Sequence, residues 1–320
     1  MKPATLFLLA ALLCCGAGQL RAQFGRGAGR SDLMGYIQGE GADPACGVCL
    51  KAAQKFFDEK KKAELATKTA GLAHIPAGVY RVGSPETIGD PDERPAADIT
   101  LDAFYMDKTE VTLKDYMQFA QTTSANYPEW AVPNGKFNMQ TGKDNYYKRL
   151  KTLTATCPSC AVFGVTWSNA RAYCAWKKRR LPTEAEWEAA ARAGSAEAYS
   201  FGDIPTAAGP YAWYVDNSKN MPHAVGQKKP NKLGLHDMHG NVWEWVSDVY
   251  EKTYYAGRPA RNPTGPASGK ERVIRGGSWA GEVDATRSGN RASSKDANDD
   301  IGFRCVISEA DLEQQRGNGF

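Results

Sequence analysis

Cysteine is the residue type whose spacing in this chain most directly suggests chemistry. Eight are present, and four of them form two CxxC pairs, Cys46-Gly-Val-Cys49 and Cys157-Pro-Ser-Cys160. Haem attachment needs a histidine directly after the second cysteine; Leu50 and Ala161 stand there instead, which excludes it. Three chemistries fit the spacing. Disulfides, within each pair or across them, would staple distant segments together, and an oxidising compartment favours them. Four thiolates in two such pairs also suit zinc. A CxxC at a helix N-terminus would instead have a lowered thiol pKa and redox activity, although no βαβ pattern surrounds either pair here. Cys174 and Cys305 stand singly.

A second pattern offers oxygen rather than sulfur. In Gly234-Leu-His-Asp-Met-His-Gly-Asn-Val-Trp-Glu-Trp245 the glycines permit a tight turn, and Asp237 and Glu244 place two carboxylates near main-chain carbonyls. Hard oxygen ligands at such a turn suit Ca²⁺. In the alternative reading Glu244 satisfies buried amides and Asp237 caps the turn. The four histidines, His74, His223, His236 and His239, lack the helical spacing of an iron site.

These groups need elements to position them. The 320 residues are 42% hydrophobic and 24% charged, proportions of a folded globular protein. A formal charge of +4 with no basic run argues against nucleic-acid binding. Residues 1–22 read as a secretory signal peptide, with one lysine, an apolar run from Leu6 to Cys14 and a cut after Ala22. Its removal takes two of the eight cysteines and leaves six, an even number suited to disulfides outside the cytoplasm, whether periplasmic, at the cell surface or secreted. No later apolar run is long enough to cross a bilayer.

Residues 23–44, Gly- and Arg-rich with no apolar periodicity, read as a flexible leader. Leu50, Ala53, Phe56 and Phe57 mark one face of a helix within residues 45–71, which carries the first CxxC. The main domain spans 72–306, and 307–320 form a polar tail. Within the domain the spacing predicts helices capped at Thr112, starting at Ser168 and opening with the capping box Thr183-Glu-Ala-Glu186. Short strands between Gly, Pro and Asn/Asp turns complete an α+β reading with much irregular structure.

Several blocks occur in a fixed order: Phe104-Tyr-Met-Asp-Lys-Thr-Glu-Val-Thr112, Arg180-Leu-Pro-Thr-Glu-Ala-Glu-Trp-Glu188, Gly240-Asn-Val-Trp-Glu-Trp245, Arg275-Gly-Gly-Ser-Trp279 and Ile301-Gly-Phe-Arg-Cys305. Over about Leu72 to Val306 the chain resembles the formylglycine-generating enzyme, or sulfatase-modifying-factor, family. The resemblance implies that family's compact α+β fold, related to C-type lectins and poor in regular secondary structure. It implies a disulfide between Cys174 and Cys305, and a calcium site using the side chains of Asp237 and Glu244 with the carbonyls of Gly240 and Val242. It also implies a groove whose floor includes Ser278, Trp279, Arg287, Asn290, Arg291 and Asn298.

The catalytic pair of that family is absent. Formylglycine formation oxidises a target cysteine with O₂ and a copper(I) ion held by two thiolates, soft ligands that the metal requires. The first thiolate follows the serine of the GGS block by three residues and the second lies five further on. Gly281 and Thr286 occupy those places, and no cysteine lies between Cys174 and Cys305, so copper is not expected. The reading is therefore an exported, calcium-stabilised family member acting as a binding or scaffolding domain in the cell envelope, with a protein or glycan partner. Its alternatives are an oxidoreductase with diverged chemistry in the same groove and protein oxidation by another mechanism.

Overall fold

The computed structural model describes residues 54–317 apart from positions 56, 57, 61, 133, 134 and 136–144. The expected signal peptide and leader, and the Cys46 and Cys49 pair, lie outside the described residues. The described residues fall into two units, Gly71–Glu309 and a smaller one taking in those up to Ala70 with those from Ala310 on. The smaller unit is largely helical, with helical backbone over 62–68 and in the helix that begins at Glu309.

In the main unit, β1 (Leu72–Ile75), β2 (Gly78–Val82), β3 (Ala97–Leu101) and β4 (Phe104–Asp107) precede α1 (Leu113–Thr123), α2 (Asn145–Thr156), α3 (Trp167–Trp176) and α4 (Glu184–Arg192). After a long irregular stretch come β5 (Trp243–Val249), the single turn α5 (Tyr254–Gly257), β6 (Arg272–Arg275), β7 (Arg291–Ser294), β8 (Ile301–Gly302), β9 (Val306–Ser308) and α6 (Glu309–Gly317). Among the described residues the strands make three small sheets, ordered β1-β4-β9, β2-β3 and β7-β6-β5-β8. Among the strands of the described residues only β5 and β8 pair in parallel. The expected boundary at 306 falls inside β9, because Ile307 is buried and pairs with Tyr105 of β4. The described part of the tail, up to Gly317, is thus a strand end followed by a helix.

Local chemistry explains the helix starts. The Thr112 hydroxyl accepts from the Asp115 amide at 3.1 Å, and Glu186 and Thr183 cap each other reciprocally at 3.2 and 2.8 Å. Helix α3 begins one residue before the expected Ser168, because the Thr166 hydroxyl takes the Asn169 amide.

Strand β5 divides the interior. Trp245 enters a core with Tyr116, Phe119, Tyr173, Phe303 and the Cys174–Cys305 disulfide, whereas Val246 enters another with Trp187, Met106 and Val273. Period-two alternation sends the two neighbours to opposite faces. Helix α4 contributes charge as well as apolar surface. Glu184 and Glu188, four residues apart on one face, are buried against arginines of the neighbouring strands. Glu184 forms a forked pair with Arg291 at 2.6 and 3.0 Å, and Glu188 pairs with Arg275 at 2.5 Å and Arg192 at 2.8 Å.

Candidate functional site

The turn that leads into β5 is built on left-handed backbone at Gly234, Asp237, Gly240 and Asn241. At Gly240 the glycine is obligatory: φ is +97°, and a Cβ would lie 2.1 Å from the Trp213 carbonyl oxygen. The same close approach lets the Asn241 amide donate to that oxygen at 2.8 Å. Beyond β6, Gly277 turns the chain at φ +76°, where a Cβ would strike the Ala285 backbone at 2.9 Å. Ser278 and Trp279 are thereby laid against the first turn, and the Trp279 amide donates to the Asn241 carbonyl at 2.8 Å.

Ser278 is fully buried and donates to Asp300 at 2.8 Å; burial lifts the Asp300 carboxyl above the usual carboxylate range. Ser218 donates to the Trp279 carbonyl at 2.8 Å, and the Trp279 indole packs on Ala161, Val242 and Val225. Its Nε1–H is buried and meets no acceptor among the described residues, and the same holds for Trp213. The Trp213 ring stacks on His223 with centroids 3.7 Å apart and planes 7° from parallel, and Lys228 Nζ lies 3.7 Å from the same ring. His223 Nε2 is 2.7 Å from the Ser218 carbonyl, an acceptor only, so this nitrogen carries the proton. Burial, with Lys228 and Lys219 nearby, holds His223 below the usual histidine range against that bond. The result is an uncharged aromatic shelf with one cation over it.

Beneath the shelf lie two carboxylates that the structure leaves half satisfied. Asp237 Oδ2 accepts from the Gly226 amide at 2.6 Å, while Oδ1 is buried without a partner. Glu110, which immediately precedes the chain crossing into α1, accepts from Asn241 at 2.9 Å through Oε1, and its Oε2 is likewise orphaned. Burial raises both carboxyls, and in Glu110 the Asp237 charge adds to it. Glu110 also hydrogen-bonds Asp237, so a proton shared between the two buried carboxyls satisfies the pair, and a hard cation such as Ca²⁺ would fit the same oxygens in its place. Among the described residues no three His, Cys, Asp or Glu side chains gather, so main-chain oxygens such as those of Gly240 and Val242 would have to complete the set.

The expected ligand Glu244 is differently placed. Its carboxylate takes a forked pair from Arg304, at 2.7 to 3.0 Å, and the Trp187 indole at 2.9 Å, so its lone pairs are already used. Glu110 was missed on sequence because an acid between Thr109 and Val111 looks like an ordinary loop residue. Its one signal was its place between two apolar segments.

Four of the six expected groove residues carry bonds to other parts of the fold. Arg287 is spent on Glu93 in a forked pair at 2.8 Å, and Arg291 on Glu184 and the Asp92 carbonyl. The Asn290 carbonyl accepts from Arg275, and the Asn298 carbonyl accepts from the Gly164 amide at 3.0 Å. Ser278 and Trp279 are bonded into the site described above. Gly281 and Thr286 follow. The buried Thr286 hydroxyl donates to the Val283 carbonyl at 2.7 Å.

The second CxxC pair closes on itself as the Cys157–Cys160 disulfide. It follows the C-terminal end of α2, where the helix dipole opposes a thiolate, rather than the N-terminus that the redox reading requires. Its carbonyls serve structure. Those of Cys160 and Pro158 accept from the first amides of α1 at 2.8 and 2.9 Å, and Ser159 accepts from Val225 at 3.0 Å. The loop thus ties α1 to the segment that carries His223.

A model of the sulfatase-modifying factor enzyme 1-like domain matches residues 57–309. The chain belongs to that family. It is 31% identical to the formylglycine-generating enzyme of Streptomyces coelicolor, over 76% of this chain and 91% of the relative. To the mouse inactive C-alpha-formylglycine-generating enzyme 2 it is 29% identical, over 74% of this chain and 85% of the relative. Among solved structures PvdO of Pseudomonas aeruginosa superposes with a TM-score of 0.60 at 27% identity, covering 74% of this chain and 94% of that one. The sulfatase-modifying-factor fold is therefore the fold of this chain, α+β with modest regular structure. Among the described residues no helix is long and apolar enough to cross a membrane.

Proposed function

We propose that this chain is an exported, calcium-stabilised member of the sulfatase-modifying-factor family that lacks the copper site and works as a binding or scaffolding domain in the cell envelope, on a protein or glycan partner. One observation carries the reading: Gly281 and Thr286 stand where the two copper thiolates belong, and the Thr286 hydroxyl is buried and bonded to its own turn. The aromatic shelf of Trp213 and His223, with Lys228 over it, supplies the stacking and cationic groups of a binding surface. A relative whose name calls it inactive supports retention of the domain without the oxidation. The apolar run from Leu6 to Cys14 and the disulfides Cys157–Cys160 and Cys174–Cys305 support export. Incubation with a CxPxR peptide, copper(I) and O₂ should give no aldehyde by mass spectrometry; steady turnover would reject the reading.

The calcium part has its own test. Saturating Ca²⁺, at about a hundred times the dissociation constant, should stabilise the fold by about 3 kcal/mol and raise the melting temperature by roughly 5–10 °C over an EGTA control. Glu110→Gln should abolish this response. Without calcium that variant should melt no lower than wild type, because the glutamine amide keeps a donor towards Asp237 where the shared proton stood. An unchanged calcium response in Glu110→Gln would remove Glu110 from the site.

A further inference from the structure

Beyond α4 the chain carries a serine and a histidine that the proposed binding role does not use. Tyr199 and Gly202 close a tight turn through reciprocal backbone bonds at 3.0 and 3.3 Å, which puts Ser200 and Phe201 at its tip. The buried His239 ring lies against this turn, with the Tyr199 and Phe201 rings set edge-on to it at centroid distances of 5.8 and 5.3 Å.

Two contacts fix the tautomer of that imidazole. Nδ1 is 2.8 Å from the Thr286 carbonyl, which can only accept, so Nδ1 carries the proton. Nε2 receives the Ser200 main-chain N–H at 3.2 Å, so it presents a lone pair. The Ser200 hydroxyl, 2.8 Å from the same nitrogen, therefore donates to it, and it has no other partner among the described residues. A serine that served only to satisfy a buried histidine would be redundant here, because its own amide already meets that lone pair. The Thr286 carbonyl is itself held in place, since the hydroxyl of the same residue is bonded to the Val283 carbonyl at 2.7 Å.

Hydroxyl, imidazole and main-chain carbonyl thus stand in the order nucleophile, base and orienting group. Ser200 is partly exposed while its base is buried, so the nucleophile lies at the surface end of the series. The Phe201 amide makes no hydrogen bond among the described residues. It directly follows the serine, the place from which a backbone N–H can meet a developing oxyanion. Phe201 and Tyr211, both half-buried and stacked 4.5 Å apart, form an apolar flank on the same turn.

We propose that Ser200 and His239 hydrolyse a carboxylic ester with a small apolar acyl group. Ser200 Oγ attacks the acyl carbon as its proton passes to His239 Nε2, and the Phe201 amide meets the oxyanion. Collapse breaks the bond to the alcohol oxygen, which leaves with that proton and an acyl-serine behind it. Water then attacks the acyl carbon and gives a proton to Nε2; Ser200 Oγ takes that proton as it is expelled, and the acid is released. The step is a hydrolysis with no net oxidation, and it stands independently of the partner-binding role.

The test incubates the purified protein with a serine-reactive fluorophosphonate and, separately, with 4-nitrophenyl acetate. One phosphonyl adduct per chain is expected on the peptide that carries Ser200, by mass spectrometry, together with release of nitrophenol above the buffer rate. Ser200→Ala should lose both, and His239→Gln should slow the release at least about a hundredfold, the lower range for removing a general base. Should His239→Gln fail to fold, wild type in urea decides: an adduct lost on unfolding supports activation by the fold, and one that persists overturns it. No adduct on Ser200, or nitrophenol release unchanged in Ser200→Ala, also overturns the proposal.

Discussion

Glu188→Ala is expected to cost about 3–5 kcal/mol of stability or to prevent folding outright, the range for breaking a buried ion pair by removing one partner. The Glu188 carboxylate is fully buried and accepts from the Gly83 amide at 2.7 Å, Arg192 at 2.8 Å, Arg275 at 2.5 Å and Tyr255 at 3.2 Å. Deleting it strands two guanidiniums, one of which, Arg275, is wholly inaccessible. The same carboxylate governs behaviour in acid. Burial pushes its pKa up, but Arg192, Arg275 and the Gly83 amide outweigh that and bring it to about 2, below the ordinary 4.5.

A depressed folded-state value means that the stabilisation is complete above the unfolded pKa and is lost as pH falls from about 4.5 towards 2. The shift corresponds to about 3 kcal/mol. Glu93, lowered by Arg287 against its burial, adds in the same direction. Asp248, raised by burial and by Glu184 to about 7, acts oppositely, and its contribution is lost as pH rises through that value. Urea unfolding between pH 2 and 6 should therefore show a steep acid loss in wild type and a shallower one in Glu188→Gln. Parallel curves for the two would show that Glu188 is not the group responsible.

Removing the Cys174–Cys305 disulfide is the second large effect. The bond joins residues 131 apart, and restraining so long a loop in the unfolded chain is worth about 4–5 kcal/mol in chain-entropy models. Cys174→Ala with Cys305→Ala should show that loss in chemical unfolding. Both sulfurs are fully buried among Tyr116, Tyr173 and Phe303, so a packing cost adds to it. The Cys157–Cys160 bond spans only three positions, for which the same model gives about 2 kcal/mol. Cys157→Ala with Cys160→Ala should therefore cost less in stability, although it loosens the loop whose carbonyls hold the first turn of α1. A greater loss from the short bond than from the long one would mean that loop entropy does not rank them.

Much of this protein was legible in the sequence where the signal is local. The caps at Thr112 and Thr183 depend on a hydroxyl and an amide three residues apart, and both formed as expected. The ordered blocks from Phe104 to Cys305 gave the family and with it the Cys174–Cys305 pairing, which no local spacing could reveal. That no cysteine lies between Cys174 and Cys305 needed only the sequence.

What the sequence could not determine was how charge is shared through space. Arg287 and Arg291 look available on paper, yet the fold commits them to Glu93 and Glu184, some 194 and 107 positions away. Glu244 looks like a free ligand, but Arg304 and Trp187 occupy it, and the unfilled oxygens belong to Asp237 and Glu110. Likewise Arg272 of β6 meets the Trp167 ring of α3, 105 positions away in the chain, only because packing brings the strand against the helix. A side chain's type fixes what it can bond, and that much the chain alone decided; whether its lone pairs or protons remain free depends on which distant partner packing delivers under burial, where an unmet charge is costly, and only the tertiary structure decided that.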